Sequence, residues 1–187
     1  SLPKLSDFSK EIKDIFKSHR LTTEGPKVKN LKKQLEKKLG VKNLLLVSNG
    51  TIAIQIALET LKIRKEITVS PFSYTSTINA VEWQNIPYKF CDLKKNKLTI
   101  DLNALKIKRG TSLLAVHPFG ITEDIKRLSS ICKKKNIKLI FDASHCFDIK
   151  FENKSILTYG DASTISFQAT KFFNTCEGGA IVFRNKK

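Results

Sequence analysis

A lysine can act as a nucleophile or base when few other charges surround it. Lys171 meets that condition in "STISFQATKFFNTCEGGAIVF" (163–183). It lies five residues after Ser166, and no charged residue is nearer than Glu177. Asp142 follows three apolar residues in "LIFDASHCF" (139–147), so a carboxylate closes a buried run and needs a cationic or N–H partner there. His145 lies three residues further on. In "SNGTIAIQIAL" (48–58), Gly50 permits a tight turn into a helix. The amides of Gly50, Thr51 and Ile52 would then point out of the helix N-terminus, and the Thr51 hydroxyl adds a donor, which makes a phosphate cup. In "SPFSYTSTINA" (70–80), Tyr74 comes just after a strand end, where its ring could lie flat against a planar ligand.

Each group also has a plainer reading. Ser, Asn and Thr before a helix are caps. A buried aspartate serves a salt bridge, a tyrosine packs on the core, and a lysine lies on the surface. The loop after Gly50 lacks Gly-Lys-Ser/Thr and is not G-x-G-x-x-G, which excludes two common nucleotide loops. Taken together, a phosphate cup, an aromatic plane, a carboxylate and an isolated lysine are the set needed to hold pyridoxal phosphate.

Seven short apolar runs could position these groups at strand ends: 44–50, 66–71, 86–93, 112–120, 137–144, 162–167 and 178–183. They are near-continuously apolar rather than cleanly alternating, as expected of parallel strands buried on both faces. Helical patterns lie between many of them. Val28, Leu31, Leu35 and Leu39 share one face before a stop at Gly40. Ile52, Ile56 and Ala57 open a second helix. Thr122 is the expected cap of a third, carrying Ile125, Leu128 and Cys132. Ser6 is the expected cap of an N-terminal helix with Phe8, Ile12 and Ile15, and Asp101 that of a short one through Leu105. The alternation predicts an α/β fold, a three-layer α/β/α sandwich around a mostly parallel, doubly wound seven-stranded sheet in one domain. Ligands of such sheets bind at the carboxyl ends of the strands, where all four groups fall.

The 187 residues can bury a sizeable core, and no apolar run is long enough to span a bilayer. No signal-peptide pattern is visible at the N-terminus. Cys91, Cys132, Cys146 and Cys176 have no metal-site spacing and read as reduced packing residues of a cytoplasmic protein. The formal charge is +17, from 29 lysines and 5 arginines against 17 acids. Arginine forks are scarce and the lysines are dispersed, so the charge reads as a solvated surface rather than a nucleic-acid site.

In order and spacing, "LTTEGPKVKNLKKQLEKKLGVKNLLLVSNGTIAIQIAL", "SPFSYTSTINAV", "LTID", "AVHPFG", "FDASH" and "SFQATKFFNTCEGGAIVF" resemble the DegT-type sugar aminotransferases, enzymes of the type I pyridoxal-phosphate fold. The last segment looks most like members acting on dTDP-linked 4- or 3-keto-6-deoxyhexoses. The resemblance implies that Lys171 is the lysine that bonds covalently to pyridoxal 5'-phosphate. It implies that Asp142 pairs with the ring nitrogen, that His145 lies near the phenolic oxygen, and that Tyr74 stacks on the ring. Ser166 joins Gly50 and Thr51 at the phosphate. Related dehydratases replace the lysine with histidine, so Lys171 favours transamination. Asp148 stands where glycine is common in the family, and Gln168 where close relatives often have histidine.

The resemblance also implies L-glutamate and a nucleotide-linked keto sugar as substrates, a homodimer, a role in cell-surface polysaccharide or other amino-sugar biosynthesis, and neither membrane nor nucleic acid as partner. Residues 1–187 then correspond to the cofactor-binding large domain, with a helical segment over about residues 1–40, and the family's C-terminal small domain is expected to be absent. Three readings stay open. An active aminotransferase is yellow and takes a borohydride label on Lys171. An inactive cofactor-binding fragment or sensory module shows the colour without turnover. A basic nucleic-acid-binding protein shows steeply salt-dependent binding and no colour.

Overall fold

The seven apolar runs become the seven strands of one sheet. The structure is a computed structural model and describes residues 3–20 and 23–184. In chain order the elements are α1 (Leu5–Ser18), α2 (Pro26–Leu39), β1 (Leu44–Val47), α3 (Gly50–Thr60), β2 (Ile67–Val69), α4 (Thr75–Glu82) and β3 (Tyr88–Phe90). They continue with β4 (Ser112–Val116), α5 (Ile125–Lys134), β5 (Lys138–Asp142), β6 (Lys150–Phe151), β7 (Lys154–Ser155), β8 (Ala162–Ser166) and β9 (Gly179–Phe183). β6 and β7 form a separate small hairpin.

The sheet order is β1-β9-β8-β5-β4-β2-β3. Its pairings are parallel except around β9, which runs against both β1 and β8. Every residue of β4 and β8 is buried, as expected of strands covered on both faces, and β8 carries Ser163, Thr164 and Ser166 into that buried setting. On one face, Ala53, Ile54, Ala57 and Leu58 of α3 and Ala80 and Val81 of α4 pack against Val69, Leu114, Ile140 and Ile181. On the other, Leu35 and Leu39 of α2 and Ile125, Leu128 and Cys132 of α5 pack against Leu113, Ala115, Phe141 and Ile165. The result is the three-layer α/β/α architecture, with Asp142 and Ser166 closing β5 and β8.

Helix boundaries depart from the sequence pattern where tertiary contacts compete. α5 is capped by Asp124, which accepts from Arg127 N at 3.1 Å, and not by Thr122. The reason is Glu123, whose buried carboxylate turns back to accept Ile100 N and delays the helix. Ser6 lies inside α1, which starts after Lys4 without a side-chain cap, and no residue of α1 is buried. Lys27 of α2 ties α1 down through Glu11 and, at 2.9 Å, Asp14. Asp101 accepts Asn103 N at 2.9 Å in a turn that does not grow into a helix. α2 ends as expected at Gly40, whose φ of 62° is left-handed, but Val28 on its predicted apolar face is exposed. On α3 the buried face runs through Ala53, Ile54 and Ala57; Ile52 and Ile56 are half-buried.

Behind the strand ends, His117 is fully buried and stacked on Phe141, with ring centroids 4.6 Å apart. Its Nδ1 accepts Glu123 N at 3.1 Å. Cys132 and Cys146 are buried packing residues, and burial pushes both thiols up to about 12. Cys176 is exposed at a φ of 62°, so it does not share that packing role.

Candidate active site

A cavity of about 460 Å³ opens at the carboxyl ends of the strands. Gly50, Thr51, Tyr74, Asp142, His145, Ser166 and Lys171 all line it, and Ile52 does not.

The cup begins where β1 runs into α3. Asn49 caps the helix, and its Oδ1 accepts Ile52 N at 2.9 Å. That bond takes the Ile52 amide, which is therefore not free to meet an anion; the expected cup narrows to Gly50 and Thr51. A Cβ at Gly50 would lie 3.1 Å from Ser166 Cβ, so glycine keeps the helix terminus open to the cavity. Gly179 opens β9 directly behind. A Cβ there would lie 2.7 Å from Asn49 C and 2.8 Å from its O.

Asp142 closes β5 and is 5 % exposed. Its Oδ2 accepts the Thr77 hydroxyl at 2.8 Å; its Oδ1 accepts the Ser144 hydroxyl at 2.6 Å and the Ser144 amide at 3.1 Å. Three donors thus satisfy a carboxylate that burial would otherwise penalise. Thr77 and Ser144 escape sequence reasoning. Thr77 is one hydroxyl among several in "SYTST", and only the docking of α4 singles it out.

Lys171 lies in the loop joining β8 to β9. The loop is pinned at its ends by Phe167 N to Gly178 O (2.8 Å) and Thr175 N to Phe167 O (2.9 Å). Gln168 shapes its tip: its backbone oxygen accepts Lys171 N at 2.8 Å, and its Oε1 accepts the Thr170 amide and hydroxyl. Phe173 anchors the loop, stacked on Phe147 with centroids 4.5 Å apart and edge-on to Phe167 at 5.2 Å. Phe172 is almost fully exposed, its ring tilted toward Phe147 with centroids 6.5 Å apart. Nζ of Lys171 is 2.9 Å from His145 Nε2. Burial lowers the imidazole pKa below its ordinary 6.5, with Lys171 adding to the drop and Asp142 opposing it.

Tyr74, at the start of α4, is 79 % exposed and lines the rim rather than the core. Asp148, with φ 59°, adopts the conformation that glycine favours, and its carboxylate bonds Lys38 at 2.8 Å. No cluster of metal-ligating side chains occurs among the described residues, and none of their helices is long and apolar enough to cross a membrane.

The sequence profile of the DegT/DnrJ/EryC1/StrS aminotransferase family matches residues 4–187. The dTDP-4-amino-4,6-dideoxy-D-glucose transaminase of Shigella dysenteriae is 33 % identical over 190 residues, covering 100 % of this chain and 52 % of that protein. The Escherichia coli transaminase of the same name is 29 % identical over 191 residues, with the same coverage. Among solved structures, Helicobacter pylori PseC, an aminotransferase of pseudoaminic acid biosynthesis, superposes with a TM-score of 0.87 at 27 % identity, over 100 % of this chain and 51 % of that one. The chain spans about half the length of these relatives. A profile match over nearly all residues, joined to a shared fold and a lysine, an acid and a helix terminus on one cavity, makes this chain a member of the DegT/DnrJ/EryC1/StrS aminotransferase family.

Proposed function

We propose that this chain is the cofactor-holding domain of a pyridoxal 5'-phosphate-dependent aminotransferase. It moves an amino group from L-glutamate to a nucleotide-linked keto sugar of the dTDP-4- or 3-keto-6-deoxyhexose class. The observation that carries the proposal is the convergence of Lys171, Asp142 and the N-terminus of α3 on one cavity. The donor set fits the group. Gly50 leaves the helix terminus bare, Ser166 adjoins it, and Asp142 is a buried acceptor with its own donors in place. The transaminase names of the relatives support the sugar class.

When bound, the cofactor supplies an aldehyde and an electron-accepting pyridine ring. Asp142, held by Thr77 and Ser144, would keep the proton on the ring nitrogen. Gly50, Thr51 and Ser166 would bind the phosphate. His145 would face the phenolic oxygen, and Tyr74 one face of the ring. Lys171 Nζ would hold the aldehyde carbon and, once the amino donor displaces it, take the proton from the donor's Cα. The reading includes a homodimer. Four free cysteines and a nucleotide-linked substrate support a cytoplasmic site of action.

The test is to incubate the chain with pyridoxal phosphate, reduce with borohydride and map the adduct by mass spectrometry. One adduct at Lys171, lost in Lys171→Ala, is the expected result. Equal labelling across the other lysines, or none at Lys171, would overturn the reading.

A further inference from the structure

Both ring nitrogens of His145 are engaged. Nδ1 lies 3.1 Å from Phe119 N, and Nε2 faces Lys171 Nζ. A backbone N–H only donates, so Nδ1 must present its lone pair. In a neutral imidazole the hydrogen is then on Nε2, the nitrogen that faces the cavity, and in the 2.9 Å contact there Nε2–H donates to Lys171 Nζ, which accepts only as the unprotonated amine because an ammonium has no lone pair.

The backbone that aims this donor is unusual. Phe119 has φ 51° and ψ 23°, in the left-handed region that few non-glycine residues adopt. The surrounding turn holds it there: Ile121 N returns to Pro118 O at 2.8 Å, and Gly120 N to His117 O at 3.4 Å. The Phe119 ring lies parallel to the imidazole, 8° between planes and 5.6 Å between centroids, and Phe72 meets it edge-on at 6.0 Å. Backbone strain held beside a working site points to a positional role.

We propose that Phe119 is a positioning residue for His145: its backbone N–H fixes the imidazole in the Nε2–H form, so that the cavity is offered a hydrogen-bond donor at that point. The purpose of the device rests on the proposed function. A donor at Nε2 suits the phenolic oxygen of pyridoxal phosphate, whereas the other tautomer would set a lone pair against it.

The test is nitrogen-15 NMR of the cofactor-free chain, followed by loading with pyridoxal phosphate. The expected spectrum has a protonated Nε2, an unprotonated Nδ1, and a scalar coupling across the hydrogen bond from the Phe119 amide to Nδ1. Phe119→Gly accommodates the left-handed backbone and keeps the N–H, so both signals persist. Phe119→Val is β-branched and leaves that region, so the coupling disappears and the tautomers mix. Phe119 is 70 % exposed, which lets both variants fold; circular dichroism checks this. A hydrogen on Nδ1 in the wild-type chain, or unchanged signals in a folded Phe119→Val, would overturn the proposal. Borohydride reduction of the loaded chain separates the two claims. An unlabelled Lys171 with the tautomer intact refutes the proposed function alone, and a labelled Lys171 with the other tautomer refutes this inference alone.

Discussion

Replacing Glu123 with glutamine should change how stability depends on pH, in a direction the structure fixes. The Glu123 carboxylate is 2 % exposed and accepts Ile100 N through both oxygens, at 3.1 and 3.2 Å. Burial raises its pKa from 4.5 to about 7, the Ile100 amide opposing and Asp124 assisting. Between those values the unfolded chain has released a proton that the folded chain keeps, so stability falls as pH rises. His117, next to it in the core, does the opposite. Burial lowers its pKa from 6.5 to about 4, so the unfolded chain takes up a proton first, and stability falls as pH drops. In the wild-type chain the two trends oppose each other between 4.5 and 6.5. Glu123→Gln removes only the first. At about 1.4 kcal/mol for each tenfold change in proton affinity, the stability of the variant relative to wild type should rise by about 3 kcal/mol from about pH 4 to about pH 8. A constant loss of about 1 kcal/mol accompanies this at every pH, because the glutamine amide brings a second donor hydrogen into a buried site that held one or none. Urea denaturation followed by far-ultraviolet circular dichroism reads the difference; fluorescence is a poor probe because Trp83, the single tryptophan, is already exposed. All other titrating groups cancel in the comparison. A difference that stays flat across that range would refute the reasoning.

Lys171→Ala should lose the borohydride-fixable adduct and lower transamination by about 10²–10⁴-fold or more, measured with an amino donor and keto sugar in the enzyme as it functions in the cell. Thr77→Val leaves Asp142 Oδ2 without its 2.8 Å donor and should destabilise the fold by about 1–3 kcal/mol in urea titrations, while Thr77→Ser stays close to wild type. Gly179→Ala places a methyl group 2.7 Å from Asn49 C; displacement of the α3 terminus should weaken pyridoxal phosphate binding by roughly tenfold or more, read by absorbance titration, and destabilise the chain by about 1–3 kcal/mol.

The strands are legible in the sequence because burial on both faces leaves continuous apolar runs, as in Leu139–Phe141. Their order is not. β1 and β9 are neighbours across residues 44–47 and 179–183, and no local pattern announces a pairing that distant. Asp142 stands out as an acid ending an apolar run, but its partner Thr77 does not, since the hydroxyls of Ser73, Thr75 and Ser76 look equivalent until α4 docks. Cap positions fail for a related reason. Thr122 and Asp124 are both competent caps, and the choice is made by Glu123 reaching back to a strand-side amide. Phe119 is invisible because its contribution comes through its backbone, which side-chain chemistry does not encode.

The reversed strand β9 has a mechanical consequence. Gly179 stands in register with Val47 on one side and Ser166 on the other, so a single residue rivets the lead-in to the proposed anion cup to the root of the loop that carries Lys171. Tension applied at either end is shared through that rivet. Phosphate alone, filling the cup, should therefore slow amide exchange along the loop that carries Lys171, before any covalent bond to the lysine exists.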